Sequence, residues 1–187
     1  MKSFTAALAL LLGLLPATRA VEIEGVTVPP TLTISSQSLA LNGAGLRTFT
    51  LLMVPIKIYV AAFYSPEKLD SSEAAINSQG PLGFTFTFLR SVSQSDVAKA
   101  WRSQFEASNT HTYPSLQKDL NTFVGMFGPL SSGGVQMVQF TDSGTQIFDQ
   151  GTLKGTITGR DFQLSFLSLW FGKNAVSPDL KNALLGQ

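Results

Sequence analysis

The sequence predicts an α+β domain, an antiparallel sheet with a layer of helices on one face. Three observations lead there. Strand-like segments crowd the first half of the chain, a pair of amphipathic helical segments follows, and a hairpin with closing helices comes last. The cleanest alternation lies at Leu82–Leu89, where Phe84, Phe86 and Phe88 interleave with Thr85 and Thr87, so this strand carries one aromatic face. Pro55–Tyr64 has no convincingly polar side: Ile56, Ile58, Val60, Ala62 and Tyr64 fall on one face, Lys57, Tyr59, Ala61 and Phe63 on the other. It reads as a strand covered on both sides.

In chain order, Lys2, the apolar run Phe4–Leu15 and the small residues of Thr18-Arg19-Ala20 predict a signal peptide over 1–20, cleaved after Ala20. The run is short of the roughly 20 apolar residues that cross a bilayer, and no later segment reaches that length. The expected product is a single mature domain over 21–187 with no transmembrane segment, periplasmic or secreted.

Val21–Val28 reads as a strand ended by Pro29-Pro30, and Thr31–Ile34 and Ser38–Leu41 as short strands leading into a Gly-rich turn at Gly43 and Gly45. Arg47–Val54 and Pro55–Tyr64 follow as strands, with Pro55 at an edge or first position because it has no N–H for a ladder. Asp70 or Ser71 caps a brief helix stopped by Gly80-Pro81. Arg90, after the aromatic strand, belongs at the rim. Ser93 and Asp96 sit at capping-box spacing before a helix whose Val97, Trp101 and Phe105 share a face. Pro114 opens the next helix, with Leu116, Leu120, Phe123, Val124 and Phe127 inward and Gly128-Pro129 as its stop. Val135–Phe140 and Thr145–Phe148 form a hairpin around Thr141-Asp142-Ser143-Gly144, and Gly151–Ile157 adds a strand. Helices from Gly159 to Gly172 and from Ser177, with Pro178 first, to Gly186 close the chain.

Composition removes several function classes. Lys2 and Arg19 leave with the leader, so eleven basic side chains of the original 13 face 12 acidic ones. No basic stripe argues for nucleic acid. There is no cysteine, and the one histidine, His111, lies alone in a polar linker, so no metal, cofactor or Ser-His-Asp set is expected. Charged residues make up only 13% of the chain while phenylalanines number 14, which points to a large apolar interior with room for a pocket in it.

The residues that invite chemistry are Arg47 and Tyr59. A buried guanidinium costs several kcal/mol unless an anion meets it, its forked donors suit a carboxylate, and a tyrosine hydroxyl can donate to the same anion. An internal carboxylate partner would serve Arg47 equally well.

Two motifs carry a resemblance. Leu41-Asn42-Gly43-Ala44-Gly45-Leu46-Arg47, followed by Lys57-Ile58-Tyr59 and an aromatic at Tyr64, resembles the opening signature of the chalcone isomerase-like superfamily. Gly172-Lys173-Asn174-Ala175-Val176-Ser177-Pro178 is similar to that family's Gly-Lys-x-x-Val-Ser-Pro segment, and together they take in most of the mature chain. The resemblance implies an open-faced sandwich with a ligand cleft between sheet and helices. The plant isomerases surround their substrate with an arginine, a threonine, a tyrosine, an asparagine and a Thr or Ser. Here the arginine matches Arg47, the threonine position carries Tyr59, the asparagine position falls near Ala100, and the C-terminal hydroxyl position falls at Leu169 beside Ser168. No tyrosine occurs between Ser93 and Trp101. In the family's non-catalytic branch the resemblance implies that an arginine and a tyrosine hold a fatty-acid carboxylate, and Arg47 with Tyr59 fits that pair. The expected function is therefore binding of a fatty acid or similar amphipathic carboxylate, with no catalytic residues. The alternatives are an isomerase acting on an enone, with Arg47 as electrophile, and a structural or interaction protein in which Arg47 pairs internally. Oligomeric state is not fixed by these patterns.

Overall fold

The computed structural model describes residues 20–109 and 112–187, so the signal peptide expected over 1–20, apart from Ala20, and the lone histidine, His111, lie outside the described residues. A small hairpin comes first, β1 (Val21–Ile23) and β2 (Val26–Val28). The single strand expected over 21–28 is divided because Glu24 and Gly25 both take positive φ and turn the chain back. Then follow β3 (Thr31–Ile34), β4 (Gln37–Leu51), β5 (Val54–Ser65), α1 (Ser72–Asn77), β6 (Leu82–Phe88), α2 (Gln94–Ser108), α3 (Tyr113–Gly125), β7 (Val135–Thr141), β8 (Gly144–Asp149), β9 (Thr152–Ile157), α4 (Arg160–Phe171) and α5 (Pro178–Leu184). Strands β3 to β9 form one antiparallel sheet in which each is hydrogen-bonded to its neighbours in sequence. Among the described residues, no helix is long and apolar enough to cross a membrane.

Local signals account for most boundaries. Ser71 caps α1 by accepting from the Ala74 amide. Ser93 accepts from the Asp96 amide at 3.2 Å and donates to its carboxylate at 2.7 Å, closing the start of α2. Ser177 caps α5 ahead of Pro178. Helix α3 stops at Gly125, short of the Gly128-Pro129 pair.

The helix-facing side of the sheet holds the larger core. Phe63, Phe84 and Phe86 meet Phe105 and Phe123 of α2 and α3 and Phe166 and Trp170 of α4, all buried. Truncating one such ring costs about 3–5 kcal/mol, so this aromatic layer is a principal source of stability. The opposite face has a smaller cluster, Val28, Ile34, Leu39, Val60, Ala62 and Tyr64. Gly83 makes it possible: a Cβ there would lie 2.5 Å from Leu32 Cδ2, so its absence lets β3 fold back over β6 as the sheet curls.

Two expectations about β4 and β5 are corrected. Gly43 and Gly45 do not form a turn; both lie within β4, and the strand expected at 38–41 continues through them to Leu51. What they supply is the missing side chain. A Cβ on Gly43 would fall within 2.1 Å of the Ala183 carbonyl oxygen, and one on Gly45 within 2.6 Å of Ala183 Cβ, so α5 can lie directly on the strand. The second correction concerns faces. Ala61 and Phe63 point to the helices and Val60, Ala62 and Tyr64 away, as the alternation predicts. Below Tyr59 the pattern inverts, because Arg47 pairs with Tyr59 but Thr48 pairs with Lys57, leaving Ile58 as an extra, bulged residue. Lys57 therefore turns to the outer face and meets Glu24 at 2.5 Å, while Ile56 and Val54 come to the side of Arg47, opposite Phe49 and Leu51. This lower half of β5 is exposed rather than covered on both sides.

Candidate functional site

Arg47 and Tyr59 are direct partners across β4 and β5, so both side chains leave the sheet on the helix side. Tyr59 is in turn paired with Phe88 of β6, which makes Arg47, Tyr59 and Phe88 one row across three strands. The Tyr59 ring sits against Phe86 and Phe88, with centroids 5.6 Å and 5.4 Å away. Burial drives the phenol pKa well above its ordinary value, and the neighbouring Arg47 charge, pulling the other way, offsets only part of that. The hydroxyl is therefore a proton donor across the physiological range.

Arg47 is half-buried, not fully enclosed as its residue type and surroundings suggested. Its Nη1 donates to the carbonyl of its own neighbour Thr48. Among the described residues no carboxylate lies within ion-pair distance of it, so the internal partner considered for Arg47 is not found there. The guanidinium also hydrogen-bonds the Tyr59 hydroxyl, so the two side chains form one polar pair.

Behind Tyr59 the helix side is filled by rings: Phe86 lies 5.8 Å from Trp101 and 5.1 Å from Trp170. Trp101, Ile58 and Tyr59 itself are only half-buried, so this margin of the sheet–helix layer is partly open. Two surface cavities, of about 430 Å³ near Thr141 and Arg160 and about 440 Å³ near Leu69 and Ala74, lie elsewhere and include neither Arg47 nor Tyr59. The first sits at the opposite end of the sheet, beside the β7–β8 turn. Arg160 there is engaged with the Ile76 and Ser78 carbonyls at the end of α1. Arg90 is exposed, at the rim as predicted.

The positions corresponding to the plant isomerase groups are not arranged for chemistry. Ala100 is on the exposed side of α2, Leu169 is buried, and the Ser168 hydroxyl donates to the Leu164 carbonyl at 2.9 Å within α4.

Sequence reasoning missed Asn42, the residue that ties this strand to the rest of the fold. It is the extra residue of a second bulge, between Leu41 and Gly43. Its buried Nδ2 donates to the Leu69 and Leu184 carbonyls at 2.9 Å and 2.8 Å, and its Oδ1 accepts from the Leu69 amide at 2.7 Å. An amide side chain inside the otherwise apolar stretch from Leu39 to Leu46, flanked by Gly43, was the available signal. A second buried polar group lies deeper: Gln136 and Asp149 face each other across β7 and β8, with both Gln136 amide atoms, Asp149 Oδ1 and Trp170 Nε1 lacking protein partners.

A family model described as chalcone isomerase-like matches residues 20–186. No curated protein matches the sequence. Among solved structures, the chain is similar to a fatty-acid-binding protein of Arabidopsis thaliana at 13% identity and a TM-score of 0.73, covering 89% of this chain and 96% of that one. At that identity the likeness is one of fold.

Proposed function

The chain belongs to the chalcone isomerase-like family, and on that premise we propose that it binds a fatty acid or similar amphipathic carboxylate without transforming it. The observation that carries this reading is the Arg47–Tyr59 pair: a guanidinium with no carboxylate among the described residues beside it, next to a phenol that burial keeps protonated. A carboxylate placed between them receives a charge-assisted bond from Arg47 and a neutral one from Tyr59. The acyl tail packs at the half-open margin formed by Tyr59, Ile58 and Trp101. The fold shared with a fatty-acid-binding protein supports the reading, and so does the want of the plant isomerase groups at Ala100 and Leu169. The signal peptide expected from residues 1–20 is the ground for proposing a periplasmic or secreted location.

The test is a titration of the purified protein with a fluorescent long-chain fatty acid, beside mass spectrometry of lipid extracted from it. Saturable binding that Arg47→Ala weakens is expected. Protein that carries no lipid and shows no affinity would overturn the reading, and turnover of a chalcone or another enone that Arg47→Ala abolishes would replace it with an isomerase.

A further inference from the structure

β3 pairs with β4 only as far as Ala40, and β6 pairs with β5 only from Tyr59 onward. Residues 48–57 therefore stand off the sheet as a two-stranded ribbon. Its turn is Leu52-Met53, with φ of 47° and 67°. A two-residue hairpin turn with both central residues at positive φ ordinarily takes Asn-Gly, since Leu and Met resist that backbone. Here they occupy it and are 89% and 92% exposed, with Val54 at 60% and Phe49 and Leu51 at 51%. No charged residue occurs from Thr48 to Ile56. Strain and apolar exposure at one point serve nothing inside the chain, which directs attention to a contact outside it.

We propose that this tip docks on a lipid bilayer: Leu51, Leu52, Met53 and Val54 enter its interfacial layer, and an amphipathic carboxylate passes between the bilayer and Arg47. The second half of the proposal rests on the function proposed above; the first half does not. A bilayer is favoured over a protein by the shape of the element. A standard protein interface needs about 800 Å² of complementary surface on each partner, which a tip two strands wide does not offer, whereas lipid requires no complementary shape. The charges agree at one position: the ribbon has no acidic residue and Arg47, with no described carboxylate beside it, stands at its base, while Lys57 there is paired with Glu24. The ribbon's outer backbone edges are unpaired, which restricts entry to the turn and its side chains. Leu52 lies five positions beyond Arg47, roughly 17 Å of strand, so a tip inserted about 5–10 Å holds Arg47 at the outer edge of the headgroups. The bulge at Ile58 completes the path: it brings Val54 and Ile56 onto the face where Phe49 and Leu51 already lie with Arg47 and Tyr59.

The test compares the full chain with its Leu52→Asn/Met53→Gly double variant, both with the same N-terminal segment, in co-sedimentation with phosphatidylcholine–phosphatidylglycerol vesicles. The substitution installs the preferred turn residues, so the variant is expected to melt at the same or a higher temperature. Its vesicle partitioning should fall at least tenfold while its affinity for a fluorescent fatty acid in solution is unchanged. Equal vesicle binding by the two proteins, or none by either, overturns the proposal. So does a dimer of the wild-type chain that the variant converts to a monomer, because the tip then serves a second copy. If neither protein binds fatty acid but only the wild type binds vesicles, docking stands and the cargo reading fails.

Discussion

Asn42 on β4 and Leu184 at the end of α5, 142 positions apart in sequence, are joined by a 2.8 Å hydrogen bond from the buried Asn42 side chain to the Leu184 carbonyl. The same amide holds both the N–H and the C=O of Leu69. Asn42→Leu strands these three backbone groups away from water, and the expected loss is roughly 2–4 kcal/mol. In a domain of this size that lowers Tm by about 5–15 °C. Thermal unfolding of the variant checks it, and a Tm within 2 °C of wild type, about the error of comparison, contradicts the assignment of Asn42 as a tie.

Much of this fold was legible in the sequence, and the main illegible features lie on β4 and β5. The Phe84–Phe88 alternation, the Ser93–Asp96 start of α2 and the Thr141–Gly144 hairpin are local signals, and each appears where the pattern put it. Arg47 and Tyr59 fall on the two strands expected for them and pair directly across these. The bulges at Asn42 and Ile58 were not legible. Each shifts a two-residue period by one, and in a strand apolar on both faces the shifted pattern looks the same as the unshifted one. Gly43 and Gly45 were misread because glycine has two uses, and only the distant α5 reveals that the missing Cβ, not a turn, is the one in play.

That closeness to α5 is itself testable. Gly45→Ala places a methyl 2.6 Å from Ala183 Cβ and 3.0 Å from Leu180 Cδ1, which should destabilise the protein by about 1–3 kcal/mol. Adding Ala183→Gly removes the main clash. The double variant should recover at least about 1 kcal/mol relative to the sum of the two single changes, measured by urea unfolding. Strict additivity would mean that α5 does not rest on Gly45.

Arg47→Ala should weaken fatty-acid binding by about 10- to 100-fold, the value of a charge-assisted hydrogen bond, while circular dichroism and Tm stay near wild type because the side chain is half-exposed. Arg47→Lys should recover part of the loss, since lysine supplies the charge without the fork. An affinity unchanged in Arg47→Ala rules this residue out as the headgroup site.

Alkaline stability follows from two tyrosines. Burial pushes up the phenol of Tyr59, and that of Tyr64 to about 12, where its hydroxyl donates to the Pro29 carbonyl at 3.0 Å. The unfolded chain loses these protons near pH 10, the folded chain only later. Their contribution is thus complete below about pH 10 and is lost as pH rises toward the folded values, at about 1.4 kcal/mol per pH unit for each tyrosine. Urea unfolding between pH 9 and 11.5, bounds chosen to span that roughly pH 10 onset, should show the decline, and Tyr59→Phe should make it shallower by about one proton.

Tryptophan fluorescence separates a tail at the open margin from one placed in the core. Trp170 is buried at 1% exposure on α4, whereas Trp101 on α2 is half-buried and reaches Tyr59 through Phe86. An acyl chain lying beside Trp101 displaces water from its ring, so its emission should shift to the blue as ligand is added. Trp101→Phe should abolish that shift and leave affinity within about threefold, since ring packing is largely conserved. A shift that persists in Trp101→Phe would place the tail against Trp170 instead, and the aromatic layer would then have to open to admit it.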